Sequence, residues 1–212
     1  MTTAGRPQNR AARMQLVQRR DLAGHAVSLL SSKEEGLQHE RSRLKGHASR
    51  SEQRWRARCA EASAWLVRAR ALGADDELRA LIAHGPTPAS VRPEWKMSMG
   101  ITYPGSVNCD PGSEPIVSST AALRPTIDAY RNALEAAAEH AATTKALNRL
   151  DRELAATRRR RRAIEEHLIP GLDADIHRLD LHLDEQERDE ALRVRLAVDQ
   201  RRATSARQGT TP

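Results

Sequence analysis

The sequence has no phenylalanine, and its 212 residues include only three tryptophans and two tyrosines. Large aromatic side chains fill much of the volume of a compact core, so a chain this poor in them cannot build the core of an ordinary enzyme domain. Charged residues instead make up 30% of the sequence. This composition is typical of long helices that bury a narrow apolar seam.

Long apolar runs are also missing. None approaches the roughly 18 residues that a membrane-spanning helix needs, so the sequence excludes a transmembrane segment. The first residues lack the apolar stretch of a secretory signal, and we therefore expect a cytoplasmic protein. Cys59 and Cys109 fit that compartment, because two cysteines far apart in the sequence form neither a zinc cluster nor a disulfide framework.

Proline is almost absent from two long stretches. Residues 8–85 contain none, and residues 126–211 contain only Pro170. Since a helix interior tolerates neither the missing N–H nor the ring of proline, each stretch can form one long helix. Apolar residues recur in both at intervals of three, four or seven, which is the pattern of a coiled-coil seam. The seam residues are Ala23, Val27, Leu30, Leu37, Leu44, Ala48, Trp55, Cys59, Ala62, Leu66 and Ala69, and then Leu147, Leu150, Leu154, Thr157, Arg161, Ile164, Leu168, Leu172, Ile176, Leu179 and Leu183.

Two seams of similar length, joined by a Pro- and Gly-rich segment, pack most simply on each other. The predicted fold is all-α: a long antiparallel two-helix coiled coil formed by the N- and C-terminal helices, with a short irregular or β-hairpin insert. We place the first helix at residues 1–72, the insert at 73–125, the second helix at 126–205 and a disordered tail at 206–212. In the insert, Asp75 or Asp76 can cap a short helix, and Pro104 with Gly105 supplies a turn before Val107.

Motifs for catalysis and cofactor binding are missing. The sequence contains no phosphate-binding loop, no Gly-rich dinucleotide turn and no His-Glu-x-x-His helix. A helical hairpin also has little concavity in which to shift the pKa of a catalytic acid. We therefore expect no catalytic residue, no metal ligand and no cofactor.

Positive charge is the clearest functional signal. The formal net charge is +7, and the excess lies in residues 1–72. An antiparallel hairpin brings both arginine-rich termini to one tip, which suits an electronegative receptor. The run Arg158–Arg162 surrounds the second helix as a collar, with Arg161 on the seam and its head directed to water or to a carboxylate of the other arm.

The stretch from Arg158 to Arg193 resembles the C-terminal signature of the D subunit of the V-type and archaeal-type (A-type) ATP synthases. That signature contains an Arg-Arg-x-Asn-Ala-Leu-Glu element, then Ile-Pro, then a helix with a Leu-x-Glu-x-Glu-Arg-Glu pattern. Arg162 stands where the first element has Asn. The matching residues are Arg159, Arg160, Ala163, Glu165, Ile169, Pro170, Leu183, Glu185, Glu187 and Arg188.

Two further segments extend this resemblance to about residues 7–202. Residues 99–104 are similar to the family's Met-Gly-Val-x-Val-Pro. Upstream, residues 29–37 keep its Leu-Leu-x-x-Lys-x-x-x-Leu spacing.

The resemblance implies a non-catalytic rotor shaft, the central stalk component of a proton- or sodium-translocating rotary ATPase. In that family the paired terminal helices enter the hexamer of A and B subunits, and the insert end meets the small F subunit and the socket subunit of the membrane ring. It implies torque transmission, a peripheral position on the cytoplasmic face of the membrane, no homo-oligomer and no nucleic acid. The expected partner-binding residues are Arg13, Arg19, Arg20, Met99, Gly100, Ile101, Pro104, Arg160, Arg161, Pro170, Arg193 and Arg195.

Two other functions stay open from the residues alone. A coiled-coil scaffold with a different partner would pair with a second copy through its seam, whereas a shaft satisfies its seam internally. A basic nucleic-acid adaptor would bind DNA or RNA with a steep salt dependence. Against the adaptor, the five aromatic residues are scattered and form no stacking platform, and no groove-reading motif is present.

Overall fold

The computed structural model describes residues 9–83, 88–112 and 120–208, with the backbone alone for residues 203–208. A long helix at each end and a small antiparallel β-hairpin between them confirm the predicted fold class, and 83% of the described residues are helical. A π-helical turn, Ile164–Leu168, joins the last two helices. The elements in chain order are α1 (Arg10–Ala71), α2 (Asp75–Ala83), β1 (Ser90–Ser98), β2 (Ile101–Asp110), α3 (Leu123–Ala163) and α4 (Ile169–Gln208).

Both ends of α1 are capped by local hydrogen bonds. The Asn9 side chain accepts a bond from the N–H of Ala12 at 2.8 Å, so it satisfies one of the free donors of the first turn. At the other end, Gly73 has a φ of +83°, and the N–H of Ala74 reaches the carbonyl of Ala69 at 3.0 Å. This is a Schellman motif, which needs a residue that adopts positive φ at little cost.

Pro170 lies in the first turn of α4 without ending the helix. In a regular α-helix its ring would meet the carbonyl of Glu166. Here the preceding turn is a π-turn, in which the N–H of Ile169 bonds to the carbonyl of Ile164. The wider turn holds one additional residue, so the helical backbone continues past the proline. Residues 206–208 of the predicted tail belong to α4, and residues 209–212 lie outside the described part of the chain.

The β-hairpin turns at Met99 and Gly100. Ser98 pairs with Ile101, and the two residues between them have φ values of 50° and 76°. Positive φ at both positions defines a type I′ turn, whose twist matches that of the flanking strands. Glycine adopts this conformation freely, whereas Met99 does so with some strain.

The predicted turn at Pro104 and Gly105 is wrong. Trp95 pairs with Pro104 and Glu94 pairs with Ser106, so Gly105 is the unpaired extra residue of a β-bulge in β2. A Cβ at position 105 would lie 3.0 Å from the Cβ of Lys96, which favours glycine there. The Pro-Gly sequence therefore bends a strand instead of reversing the chain.

The chain folds as two units, which we call the β-hairpin unit (Ser32–Thr157) and the terminal unit (Met1–Ser31 with Arg158–Pro212). In the β-hairpin unit, α1 and α3 run antiparallel: Lys33 is paired with Glu153 at 2.9 Å, and Thr126 donates to the carbonyl of Trp65 at 3.1 Å. Strand β2 packs against both helices. The resulting cluster consists of Leu37, Leu44, Ile101, Tyr103, Ala146, Leu150 and Leu154, bordered by Leu147.

Small residues let α1 approach α3 closely in the rest of the β-hairpin unit. Ala62 packs with Ala129 and Ala133, and Cys59 and Trp65 border this second cluster. Both cysteines of the chain are free and half-buried. A third cluster, nearer the end of α1, is built from Ala69, Ala74 and Ala122. Four residues of the predicted first seam, Leu37, Leu44, Ala62 and Ala69, are thus buried.

The terminal unit pairs the start of α1 with α4, again in antiparallel order. Arg20 contacts Asp173 at 3.3 Å and Arg10 contacts Glu187 at 2.6 Å, so rising numbers on one helix meet falling numbers on the other. Among the described residues of this unit, the buried apolar ones are Ala23 and Leu179. Both belong to the predicted seams.

Candidate partner-binding surfaces

The predicted arginines at the start of α1 are engaged within the terminal unit. Arg13 donates to Asp180 at 2.5 Å, and Arg20 donates to Asp173. These pairs are exposed to water, so solvent screening leaves each of them little weight in stability. Their main effect is to fix the register of α1 on α4. They also neutralise part of the basic tip that the sequence predicts.

Arg19 lines a groove of about 790 Å³ within the terminal unit. Leu16 and Leu179 supply apolar surface there, while Arg178 and His182 supply polar edges. Arg178 is already paired with Asp175 at 3.1 Å. Arg19 is therefore the predicted arginine that lines this groove.

The C-terminal part of α4 is exposed to solvent along its length. Every side chain from residue 184 to residue 202 is exposed, including the predicted Arg193 and Arg195. Arg10, the first residue of α1, lies opposite Glu187, so α4 continues beyond the described start of α1. Four large apolar side chains lie on this segment: Leu192, Val194, Leu196 and Val198. By helical geometry, Leu192 and Leu196 share one side of the helix, and the two valines lie on the opposite side. A partner that covers all four must therefore surround this segment.

The π-turn separates Arg160 and Arg161, which precede it, from Pro170, which follows it. Arg161 donates to both carboxylate oxygens of Glu165, at 3.0 and 2.7 Å. This carboxylate is one turn further along the same helical stretch. Arg160 and Pro170 are exposed.

The predicted residues of the β-hairpin divide into exposed and buried members. Met99 and Gly100 are exposed at the turn, while Ile101 and Pro104 are buried. The Met99 side chain packs on α1 at Gly36, where an added Cβ would lie 2.7 Å from the Met99 Cε atom. A glycine at position 36 therefore provides the notch that receives the turn.

A buried polar contact, which the sequence did not reveal, holds β2 on α1. The Tyr103 side chain is fully buried, and its hydroxyl donates to Glu40 Oε1. Arg43 donates to the same carboxylate at 2.8 and 2.6 Å. The hydrogen bonds from Arg43 are the main cause that lowers the pKa of Glu40 to about 2, and the bond from Tyr103 adds to them. Glu40 and Arg43 lie three residues apart on one helix, but only the fold brings Tyr103 to them.

A family model for the D subunit of ATP synthase matches residues 12–198 of this chain. The chain belongs to the ATP synthase D-subunit family. A search of curated proteins found no match. Membership identifies the chain as a stalk component of a rotary ATPase, from a family that is generally non-catalytic. It also implies association with other ATP synthase subunits in a membrane-associated complex.

Across residues 9–83, 88–112 and 120–208, no three His, Cys, Asp or Glu side chains converge to hold a metal ion. In the same ranges, no helix combines the length and the apolar character needed to cross a bilayer.

We expect the stability of this stalk protein to fall in acid because of Glu40. Its folded pKa is about 2 against an ordinary 4.5, so its stabilising contribution is complete above pH 4.5 and is lost as the pH falls towards 2. Allowing for solvent screening, we expect a loss of about 1–2 kcal/mol in the free energy of unfolding. Urea unfolding between pH 6 and pH 2, read by circular dichroism, measures it. Glu40→Gln is the control and should flatten this part of the pH profile. An unchanged profile would contradict the role of Glu40.

Proposed function

We propose that this chain is the central rotor shaft of a V/A-type rotary ATPase, which transmits torque between a catalytic A/B hexamer and an ion-translocating membrane ring. One observation carries the proposal beyond family membership. In each unit, residues of the predicted seams are buried between the paired helices: Leu37 and Leu150 are fully buried in one unit, and Leu179 is buried in the other. A chain that satisfies its seam internally acts as a single shaft and has no need of a second copy.

The structure supports a stiff element of this kind. The helices are joined by cross-helix ion pairs at intervals, such as Arg41 with Asp151 and Arg54 with Glu139. Each exposed pair is weak, but together they oppose sliding of one helix along the other. Resistance to sliding is what a rotating shaft requires, because slippage would absorb the applied torque.

The two units would serve different partners. We assign the terminal unit to the cavity of the A/B hexamer, which agrees with the exposed apolar and basic side chains of α4 such as Leu196 and Arg195. We assign the β-hairpin unit to the small F subunit and the socket subunit. Under this assignment the protein is a peripheral component at the cytoplasmic face of the membrane. It takes part in the transport of protons or sodium ions only as a subunit of the complex.

Two properties separate residues of the predicted contact set that contact a partner directly from those that act indirectly: exposure to solvent and ion pairing within this chain. Arg13, Arg20 and Arg161 are engaged by carboxylates of this chain, and Ile101 and Pro104 are buried, so we propose that these residues shape the contact surfaces. The proposed direct contacts are the remaining members, all of which are exposed, namely Arg19, Met99, Gly100, Arg160, Pro170, Arg193 and Arg195.

Native mass spectrometry tests the rotor assignment directly. The chain is mixed with the A and B subunits from the same source, with and without F, and ATP hydrolysis is measured in parallel. We expect one copy per hexamer and a changed hydrolysis rate. Two copies of this chain bound to each other, with no hexamer binding, would favour the scaffold. Retention on DNA with a steep salt dependence would favour the adaptor.

A further inference from the structure

A second groove, of about 1130 Å³, lies beside α3 in the β-hairpin unit. Gly100 of the turn and the first two residues of β2, Ile101 and Thr102, form one wall. Trp55 of α1 contributes an aromatic surface, and α3 provides the rest. Ala141 and Ala156 lie on the α3 side, so the lining combines apolar surface with charge. The groove contains none of the terminal arginines that the sequence predicts to bind partners.

Three cations of α3 line this groove: Lys145, Arg149 and Arg152. Their spacing of four and then three residues places them on one helical face over about 10 Å. All three are exposed, and within the described part of the chain none has an ion pair. The single acid in the lining, Glu153, is already paired with Lys33. The groove therefore has an uncompensated positive charge.

The walls of the groove are fixed before any partner arrives. The Trp55 ring stacks on His140, with 5.5 Å between ring centroids and 13° between planes, and Ser51 contacts His140 Nδ1 at 3.2 Å. The turn is held on α1 by Met99 at Gly36 and by the buried Tyr103. A surface that does not need to be ordered on binding loses less entropy when a partner docks.

We propose that this groove is the docking site for an amphipathic acidic helix of a partner protein, whose carboxylates repeat at the spacing of Lys145, Arg149 and Arg152. Charge complementarity selects an acidic partner. The regular spacing of the cations and the apolar surface of Trp55 and Ile101 select a helix, because a helix presents carboxylates and apolar side chains along adjacent stripes. Only the identity of the partner rests on the rotor assignment. Under that assignment, the acidic helix belongs to another protein of the complex.

Fluorescence anisotropy with a labelled synthetic peptide tests this site. The probe is a helical peptide about 20 residues long, with Glu on one face at the spacing above and Leu on the adjacent face. We expect the full chain to bind it and to lose roughly tenfold in affinity between about 50 and 200 mM salt. We expect the same peptide with Lys in place of Glu not to bind.

Matched variants locate the binding. The triple variant Lys145→Glu, Arg149→Glu, Arg152→Glu should lose at least about tenfold in affinity, since it replaces all three attractive charges with repulsive ones. The control carries the same charge change on exposed cations of α1, as Lys45→Glu, Arg50→Glu, Arg56→Glu, and should lose less than about threefold. Circular dichroism shows whether both remain folded.

Three results with these ligands would overturn the proposal. They are equal losses in the two triple variants, no binding of the Glu peptide by the folded chain, and binding of inorganic triphosphate without binding of the peptide, which would make the groove a phosphate site. Self-association of the chain that disappears in the α3 variant would assign the groove to a second copy and overturn it as well. No A or B subunit is present in this assay, so its failure is separate from failure of the rotor assignment.

Discussion

Tyr103→Ala should lower the free energy of unfolding by about 3–5 kcal/mol, the range for removing a large aromatic side chain from a core. Tyr103 is fully buried between α1 and α3, in a cluster with Leu37 and Leu150. Its removal opens a cavity and leaves Glu40 without the hydrogen bond that the phenol donates. Urea unfolding followed by circular dichroism measures the loss. The β-hairpin should also become susceptible to limited proteolysis, because β2 loses its anchor.

Two control variants separate the parts of this effect. Tyr103→Phe keeps the packing and removes the hydroxyl, so we expect a loss of about 1–2 kcal/mol. Trp95→Ala removes an aromatic side chain from the same hairpin, but this residue is 56% exposed, and we expect a loss below about 1 kcal/mol. A loss below about 1 kcal/mol for Tyr103→Ala would show that β2 is held on the helices by other contacts.

The helices could be predicted from the sequence because their signals are local. Heptad-like spacing of Leu37, Leu44, Leu150 and Leu154 predicts which face is buried, and all four are buried in the structure. The absence of proline predicts how far each helix can run. Gly73, which ends α1, lies next to the predicted boundary at residue 72.

The insert was predicted less well because its signals are ambiguous. A Pro-Gly pair is typical of a turn, yet Pro104 and Gly105 form a bulge, and the turn uses Met99 at a positive φ that methionine rarely adopts. The tertiary contact with Gly36 favours this choice, since it fixes the position of the Met99 side chain. No local pattern in the sequence contains that contact.

The candidate contact surfaces depended still more on the fold. Composition identifies a basic start to α1, but it does not show that Arg10, Arg13 and Arg20 each meet a carboxylate of α4. Conversely, Lys145, Arg149 and Arg152 have a helical spacing that is readable in the sequence. The sequence does not show that the β-hairpin turn packs beside α3, which makes this stripe one wall of a groove.

The exposed end of α4 should carry most of the affinity for the A/B hexamer. The variant with Gln at Leu192, Val194, Leu196 and Val198 keeps good helix formers while removing the apolar surface. Burial of these side chains contributes at least about 1 kcal/mol each, so we expect about a thousandfold weaker binding. Titration of the A/B hexamer with the labelled chain measures the affinity, and ATP hydrolysis reports whether the bound chain still changes the catalytic rate.

The matched control at this site is Arg193→Gln, Arg195→Gln, which leaves the apolar side chains in place. We expect it to weaken binding by about tenfold, with most of the loss disappearing at high salt, because exposed charges are screened. If the two variants lose equal affinity, charge and not apolar burial dominates the contact. If the apolar variant binds as the unmodified chain does, α4 beyond Glu187 is not the surface that enters the hexamer. The assignment of the terminal unit to the hexamer would then be wrong.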